Sequence, residues 1–184
     1  MSRKLFCIII YFLLSSLAYP VALFNAGGGA GGSAEVFHLS FDLIILDLEK
    51  YDRDTFYAFD VSVLLNRDDV PGGLLDYSCP HDDYDIIGKR QLSNETAFIG
   101  KYGIEIIRFK HLFTYGLAGF SEYTSVIIAQ SNATGWYYTE SDESTYHGII
   151  GLGVAYSLRD DKNIIYTEYD NRRGITIGFG FKFF

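Results

Sequence analysis

The chain ends in Gly174-Ile175-Thr176-Ile177-Gly178-Phe179-Gly180-Phe181-Lys182-Phe183-Phe184, and this stretch decides the fold class. Taken two at a time, Ile175, Ile177, Phe179, Phe181 and Phe183 share one face, while Thr176, Gly178, Gly180 and Lys182 share the other. Side chains alternate across a strand, so an apolar face is backed by a small, polar one. About 9–11 tilted residues cross a bilayer as a strand, and this alternation is the dyad pattern of a membrane barrel.

Upstream, the same pattern predicts seven more strands, over 36–47, 55–66, 84–91, 97–109, 112–123, 146–158 and 163–170. Phe37, Leu39, Phe41, Leu43 and Ile45 oppose His38, Ser40 and Asp42. Tyr57, Phe59, Val61, Val63 and Leu65 oppose Ala58, Asp60 and Ser62. Ile150, Leu152, Val154, Tyr156 and Leu158 oppose Gly151, Gly153, Ala155 and Ser157. A soluble barrel turns its apolar face inward and covers its outer face with charge. Here the second face is small with sparse charges, which suits a narrow lumen better than a water-facing wall. Composition agrees: 48% of the 184 residues are apolar and 17% aromatic, with only three prolines and no long 3.6-residue apolar stripe.

The N-terminus reads as a secretory signal. Met1-Ser2-Arg3-Lys4 is basic, residues 5–14 are uninterrupted apolar, and Ser15-Ser16-Leu17-Ala18 offers small residues for cleavage after Ala18. Residues 19–34, including Asn25-Ala26-Gly27-Gly28-Gly29-Ala30-Gly31-Gly32-Ser33, are expected to be a flexible glycine-rich leader. The expected organisation is signal 1–18, leader 19–34 and one barrel domain over 35–184. Cys7 leaves with the signal, so Cys79 has no intrachain disulfide partner. A net charge of −8 without a basic stripe excludes nucleic acid as a partner.

Further resemblance lies in the second half. Thr114-Tyr115-Gly116-Leu117-Ala118-Gly119-Phe120 and His147-Gly148-Ile149-Ile150-Gly151-Leu152-Gly153-Val154-Ala155-Tyr156 flank a polar loop. The Arg159-Asp160-Asp161-Lys162 turn, Asn163-Ile164-Ile165-Tyr166-Thr167-Glu168-Tyr169 and the Gly-Phe-Gly-Phe-Lys-Phe ending follow. Over about the last 75 residues this resembles the small OmpA/OmpX-like outer-membrane barrels, on composition and spacing. The resemblance implies an all-β, eight-stranded antiparallel up-and-down transmembrane β-barrel in a bacterial outer membrane, with both termini periplasmic. It implies outer-membrane lipid and, through the C-terminal strand, the barrel-assembly machinery as partners. In this count 67–83 is a long connection on the periplasmic side, and 124–145 is the main extracellular loop.

Two groups of residues are singled out. Trp136, Tyr137, Tyr138, Glu140, Asp142 and Glu143 form a candidate surface-binding loop for an extracellular ligand, since long loops on a rigid scaffold carry recognition. Asp42, Asp60, Lys101, Glu105, Glu168 and Lys182 are expected to form an ion-pair network that closes the lumen, leaving no open pore. Catalytic and metal-binding signals are thin, and no cofactor is expected. His38 and Ser40 share the lumen face, where a histidine bonded to a neighbouring hydroxyl is the simpler account than a nucleophile pair. Cys79, His81, Asp82 and Asp83 lack the second ligand pair of a zinc site and suit a solvated turn. The sequons at Asn94 and Asn132 matter only in a eukaryotic secretory host. The expectation is a structural or surface-interaction protein rather than an enzyme. The alternatives are a lipid-modifying barrel enzyme and a secreted soluble barrel whose apolar faces enclose a small ligand.

Overall fold

The computed structural model describes residues 21–47, 55–80, 82–106, 111–158 and 162–182. Nine strands run through them: β1 Val21–Gly31, β2 Val36–Asp47, β3 Thr55–Leu64, β4 Tyr84–Gln91, β5 Glu95–Glu105, β6 Leu112–Ser131, β7 Tyr137–Leu158, β8 Asn163–Asp170 and β9 Gly174–Lys182. Eight of them, all but β4, pair antiparallel in the circular order β1-β2-β3-β5-β6-β7-β8-β9, and β9 returns to β1. Closure removes both sheet edges, which an open eight-stranded sheet would leave exposed. The strand beginning at Val21 and the strand ending at Lys182 lie side by side, with Leu23 opposite Lys182, so both reach the same end of the barrel.

The eight barrel strands are not the eight read from the pattern. The segment 19–34 is not a flexible leader: Val21–Gly31 is β1, laddered to β2 on one side and β9 on the other. The barrel therefore begins before residue 35. Glycine and alanine offer no polar–apolar contrast, so a period of two is invisible in this stretch, and its order comes from neighbours on both sides. Conversely Tyr84–Gln91 is a strand but lies outside the barrel wall. It follows β6 over Ser125–Ser131, in line with β5, which occupies the same edge of β6 over Phe113–Glu122. One missed strand and one extra one cancel in the count. They also misplace the segment 67–83, which lies on the end away from the termini. The predicted signal at 1–18 and the terminal Phe183 and Phe184 lie outside the described residues.

The two faces are as the alternation requires. Phe37, Leu39, Phe41, Tyr57, Phe59, Ile150, Leu152, Ile175, Ile177 and Phe179 all point outward and are exposed, Ile150 by 70% and Leu152 by 67%. Inside lie His38, Ser40, Asp42, Asp60, Lys101, Glu168 and Thr176, each buried. This is the reverse of a soluble barrel. An apolar layer of Ile44, Phe56, Phe113, Ala155 and Ile164 fills the lumen near the termini, with Phe56 stacked on Tyr115 at 4.7 Å between ring centres.

The glycines of the last strands make room for tyrosines. Tyr166 stands opposite Gly178, which in turn stands opposite Gly27 of β1, and a Cβ at Gly178 would collide with the Tyr166 ring. Tyr115 lies over Gly153 in the same way. An aromatic ring laid across a cross-strand glycine covers backbone that the glycine leaves bare. Gly178→Val should therefore expel Tyr166 from its seat and cost about 1–3 kcal/mol, as overpacking does. Urea unfolding of the refolded protein checks this; an unchanged midpoint would show that the ring moves freely.

Candidate functional site

Two regions carry the polar side chains: the middle of the lumen and a cap beyond the barrel. In the lumen, Lys101 of β5 projects between three strands. Its Nζ lies 2.6 Å from Asp42 Oδ1, 2.7 Å from Glu168 Oε2 and 3.1 Å from Asp60 Oδ2. It also sits 4.8 Å from the centre of the Tyr166 ring. From the other end comes Arg173, in the tight connection between β8 and β9. Its Nη1 donates to Asp60 Oδ2 and Ser62 Oγ, each at 2.6 Å, and its Nη2 to Glu168 Oε1 at 2.6 Å. Its Nε donates to Asp170 Oδ2 at 2.7 Å. Tyr115 donates to Glu168 at 2.9 Å, and Tyr166 donates to Asp42.

Four of the six predicted lumen residues thus meet: Asp42, Asp60, Lys101 and Glu168. Glu105 does not join them. It sits half-buried at the end of β5, where its Oε1 accepts from the His111 backbone N–H at 2.6 Å and braces the turn. Lys182 lies in β9, and its side chain is outside the described residues. Arg173, Asp170, Tyr115 and Tyr166 were not foreseen. Asp170 and Tyr166 are two residues either side of Glu168 on one face, so the period alone places them. Arg173 follows a turn, where sequence gives no face; only the excess of acids on the lumen faces asks for another cation.

Above this network a second ion pair closes the mouth. Arg172 Nη2 and Nε donate to Glu95 at 2.5 Å and 2.8 Å, and Ser121 and Asn66 donate to the same carboxylate. His38 Nε2 meets Thr176 Oγ1 at 2.8 Å, and Ser40 is 3.4 Å from the Tyr166 hydroxyl, so His38 and Ser40 are each engaged elsewhere. Charges so buried are stable only when bonded from several sides, and the network bonds strands from opposite walls of the barrel. Its effect is to bridge the lumen.

The cap is built from β6 and β7, which run on past the barrel rim, and from β4 and the segment 65–83. Residues 124–145 are therefore not a loop but a strand extension, turning at 132–136 with Gly135 at φ 73°. The predicted surface group divides. Trp136 is 60% exposed at the turn and Asp142 is exposed on β7. Tyr138 is buried against the Tyr77 ring at 5.6 Å. The Tyr137 carbonyl accepts from the Leu75 N–H at 3.0 Å. Glu140 is the extra residue of a β-bulge, and a bulge re-aims its side chain. Its Oε1 accepts the Cys79 N–H at 2.6 Å. Glu143 pairs with Lys89 at 2.6 Å, whose hydrogen bond holds the glutamate carboxyl below the usual carboxylate range. Four of the six, Tyr137, Tyr138, Glu140 and Glu143, thus tether the long segment or β4 to the hairpin.

No protein-family model matches the chain, and no curated protein matches it. The geometry alone carries the functional argument. Cys79 is free and half-buried in the cap, while His81 lies outside the described residues. Among the described residues no group of three or more His, Cys, Asp or Glu is placed to hold a metal ion.

Proposed function

We propose that the protein is an outer-membrane β-barrel with a structural or surface-interaction role, its termini periplasmic and its cap outside the cell. The observation that carries this reading is the inversion of the two faces. Exposed Ile150, Leu152, Ile177 and Phe179 form the wall, while Asp42, Asp60, Lys101, Glu168 and Arg173 are sealed within. Exposed apolar area on this scale is unusual for a soluble monomer and marks contact with lipid or protein. Hydrocarbon also demands that all backbone groups be paired, and a closed barrel meets that demand. Outer-membrane lipid is the solvent of the wall, and the C-terminal strand is the segment offered to the assembly machinery.

A non-catalytic role fits the fate of His38 and Ser40. His38 and Ser40 are buried in the lumen and bonded to Thr176 and Tyr166, out of reach of an acyl ester in the bilayer. A bridged lumen fits a protein that does not conduct. The ordered cap, with exposed Trp136 at its turn, is the surface offered to an extracellular ligand.

The test is gel mobility before and after boiling, on protein from a fractionated envelope. Unboiled protein should migrate at a different apparent mass and partition with the outer membrane. Recovery in the soluble fraction with unchanged mobility would sink the proposal.

A further inference from the structure

The cap leaves part of one strand edge open. β8 covers the edge of β7 only up to the Gly151–Asp170 pair, after which the chain turns toward β9. Asn171, in that turn, satisfies the next groups. Its side chain accepts the Ile150 N–H and donates to the Gly148 carbonyl, and its backbone N–H donates to the Ile150 carbonyl. Backbone direction alternates along a strand, so the even-numbered residues of β7 aim their N–H and C=O groups at this edge. Higher up, past the bulge at Glu140, Leu75 holds the same edge as a parallel bridge. Its N–H donates to the Tyr137 carbonyl, and its carbonyl accepts the Thr139 N–H.

Between these two covers, Asp142, Ser144 and Tyr146 turn their backbone groups outward and have no backbone partner on that side among the described residues. Ser141, Asp142, Glu143 and Ser144 are all exposed, so neither face of the strand is covered there. Folded proteins blunt or cover such edges, because an open one is a template for another extended chain. The gap over 142–148 is about 20 Å long at about 3.3 Å per residue, room for a short added strand. Its charge is one-sided. Asp142 meets no cation among the described residues. Glu122, opposite Tyr146 in the ladder, receives only the Tyr146 hydroxyl, at 3.0 Å. Asp142, Ser144 and Tyr146 alternate onto one face, and Glu122 stands on that face beside Tyr146.

We propose that the open edge of β7 over 142–148 binds an extended, lysine- or arginine-bearing peptide segment of an extracellular protein by strand addition. The backbones pair, and basic side chains at alternate positions of the added strand meet Asp142 and Glu122 across the ladder. The bridge at Leu75 shows the same edge already accepting an extended chain. A second copy in the same membrane does not fit. Its own open cap strand, β4, stands in line with β5, just as this edge stands in line with β8, so the two barrel walls would overlap. The inference deepens the surface-interaction reading and rests on the cap lying outside the cell.

Fluorescence anisotropy of a labelled peptide of alternating threonine and lysine, titrated with the protein refolded in detergent micelles, tests the edge. Saturable binding is expected, and none for the threonine–glutamate counterpart. Ser144→Pro removes one N–H from the open edge and leaves the ladder to β6 intact, since an edge strand tolerates proline where its N–H faces solvent. It should weaken binding about tenfold, the effect of one lost hydrogen bond. A fully N-methylated lysine peptide keeps the charge but has no backbone donors, and it should not bind; this comparison stands even where the variant fails to fold. The proposal is overturned by absence of binding to the unaltered protein. It is overturned equally by undiminished binding of the proline variant or of the N-methylated peptide, either of which leaves only charge attraction. Gel mobility of the same preparation before and after boiling reports the barrel separately. A mobility shift without binding removes the site alone; no shift removes the barrel and the site with it.

Discussion

Arg173→Met should destabilise the barrel by about 3–5 kcal/mol, the effect of stripping one partner from a buried ion-pair network. Arg173 is fully buried and bonds Asp60, Ser62, Glu168 and Asp170. Methionine keeps much of its volume but leaves Asp42, Asp60, Glu168 and Asp170 of the lumen network with Lys101 as their buried cation. The cost arises from uncompensated charge and not from lost packing, so it has a chemical remedy. Adding Asp170→Asn to Arg173→Met should recover part of the loss, because Asp170 then carries no charge to neutralise. Urea titrations of the three proteins in micelles provide the comparison. A loss below about 1 kcal/mol for Arg173→Met would mean that the carboxylates reach water, and that the lumen is open at that level.

Ile177→Arg tests the other face. Ile177 lies near the middle of β9, points outward and is 61% exposed. On a water-facing wall, exchanging an exposed side chain moves stability by only about 0.5 kcal/mol in either direction. At the midplane of a bilayer an arginine costs about 2–4 kcal/mol. The experiment is equilibrium unfolding in phospholipid vesicles, with Ile177→Arg compared against Trp136→Arg in the cap. A large cost for the first and a small one for the second is expected. Equal, small costs would remove lipid as the solvent of this wall.

Much of the wall was legible because alternation is a local property. Once Ile175, Ile177 and Phe179 lie on one side of an extended chain, Thr176, Gly178 and Gly180 must lie on the other. The same reasoning placed Asp42, Asp60, Lys101 and Glu168 on inner faces, where the structure brings them together. It failed at β1, where Gly27, Gly28 and Gly29 carry no contrast between faces. Their order depends on residues about 150 positions away, with Gly27 held against Gly178 and leaving space for Tyr166. It failed again at 124–145, where a polar, acidic composition hid a strand extension stabilised by β4 and by the tethers at Tyr137, Glu140 and Glu143.

The division follows the range of the forces involved. Side-chain alternation, the aromatic content and the scarcity of charge on the inner faces are written in neighbouring residues, and they were enough to name an all-β barrel with an apolar exterior. Which strands close it, which end bears the cap and which cation completes the lumen depend on contacts between distant segments. Arg173 shows the difference most plainly. In sequence it is one of two arginines in a turn, yet Arg172 rises to Glu95 at the mouth while Arg173 descends to Asp60 and Glu168. Only the closed barrel brings those carboxylates within reach, and the cost of burying them unpaired selects the arginine that turns inward.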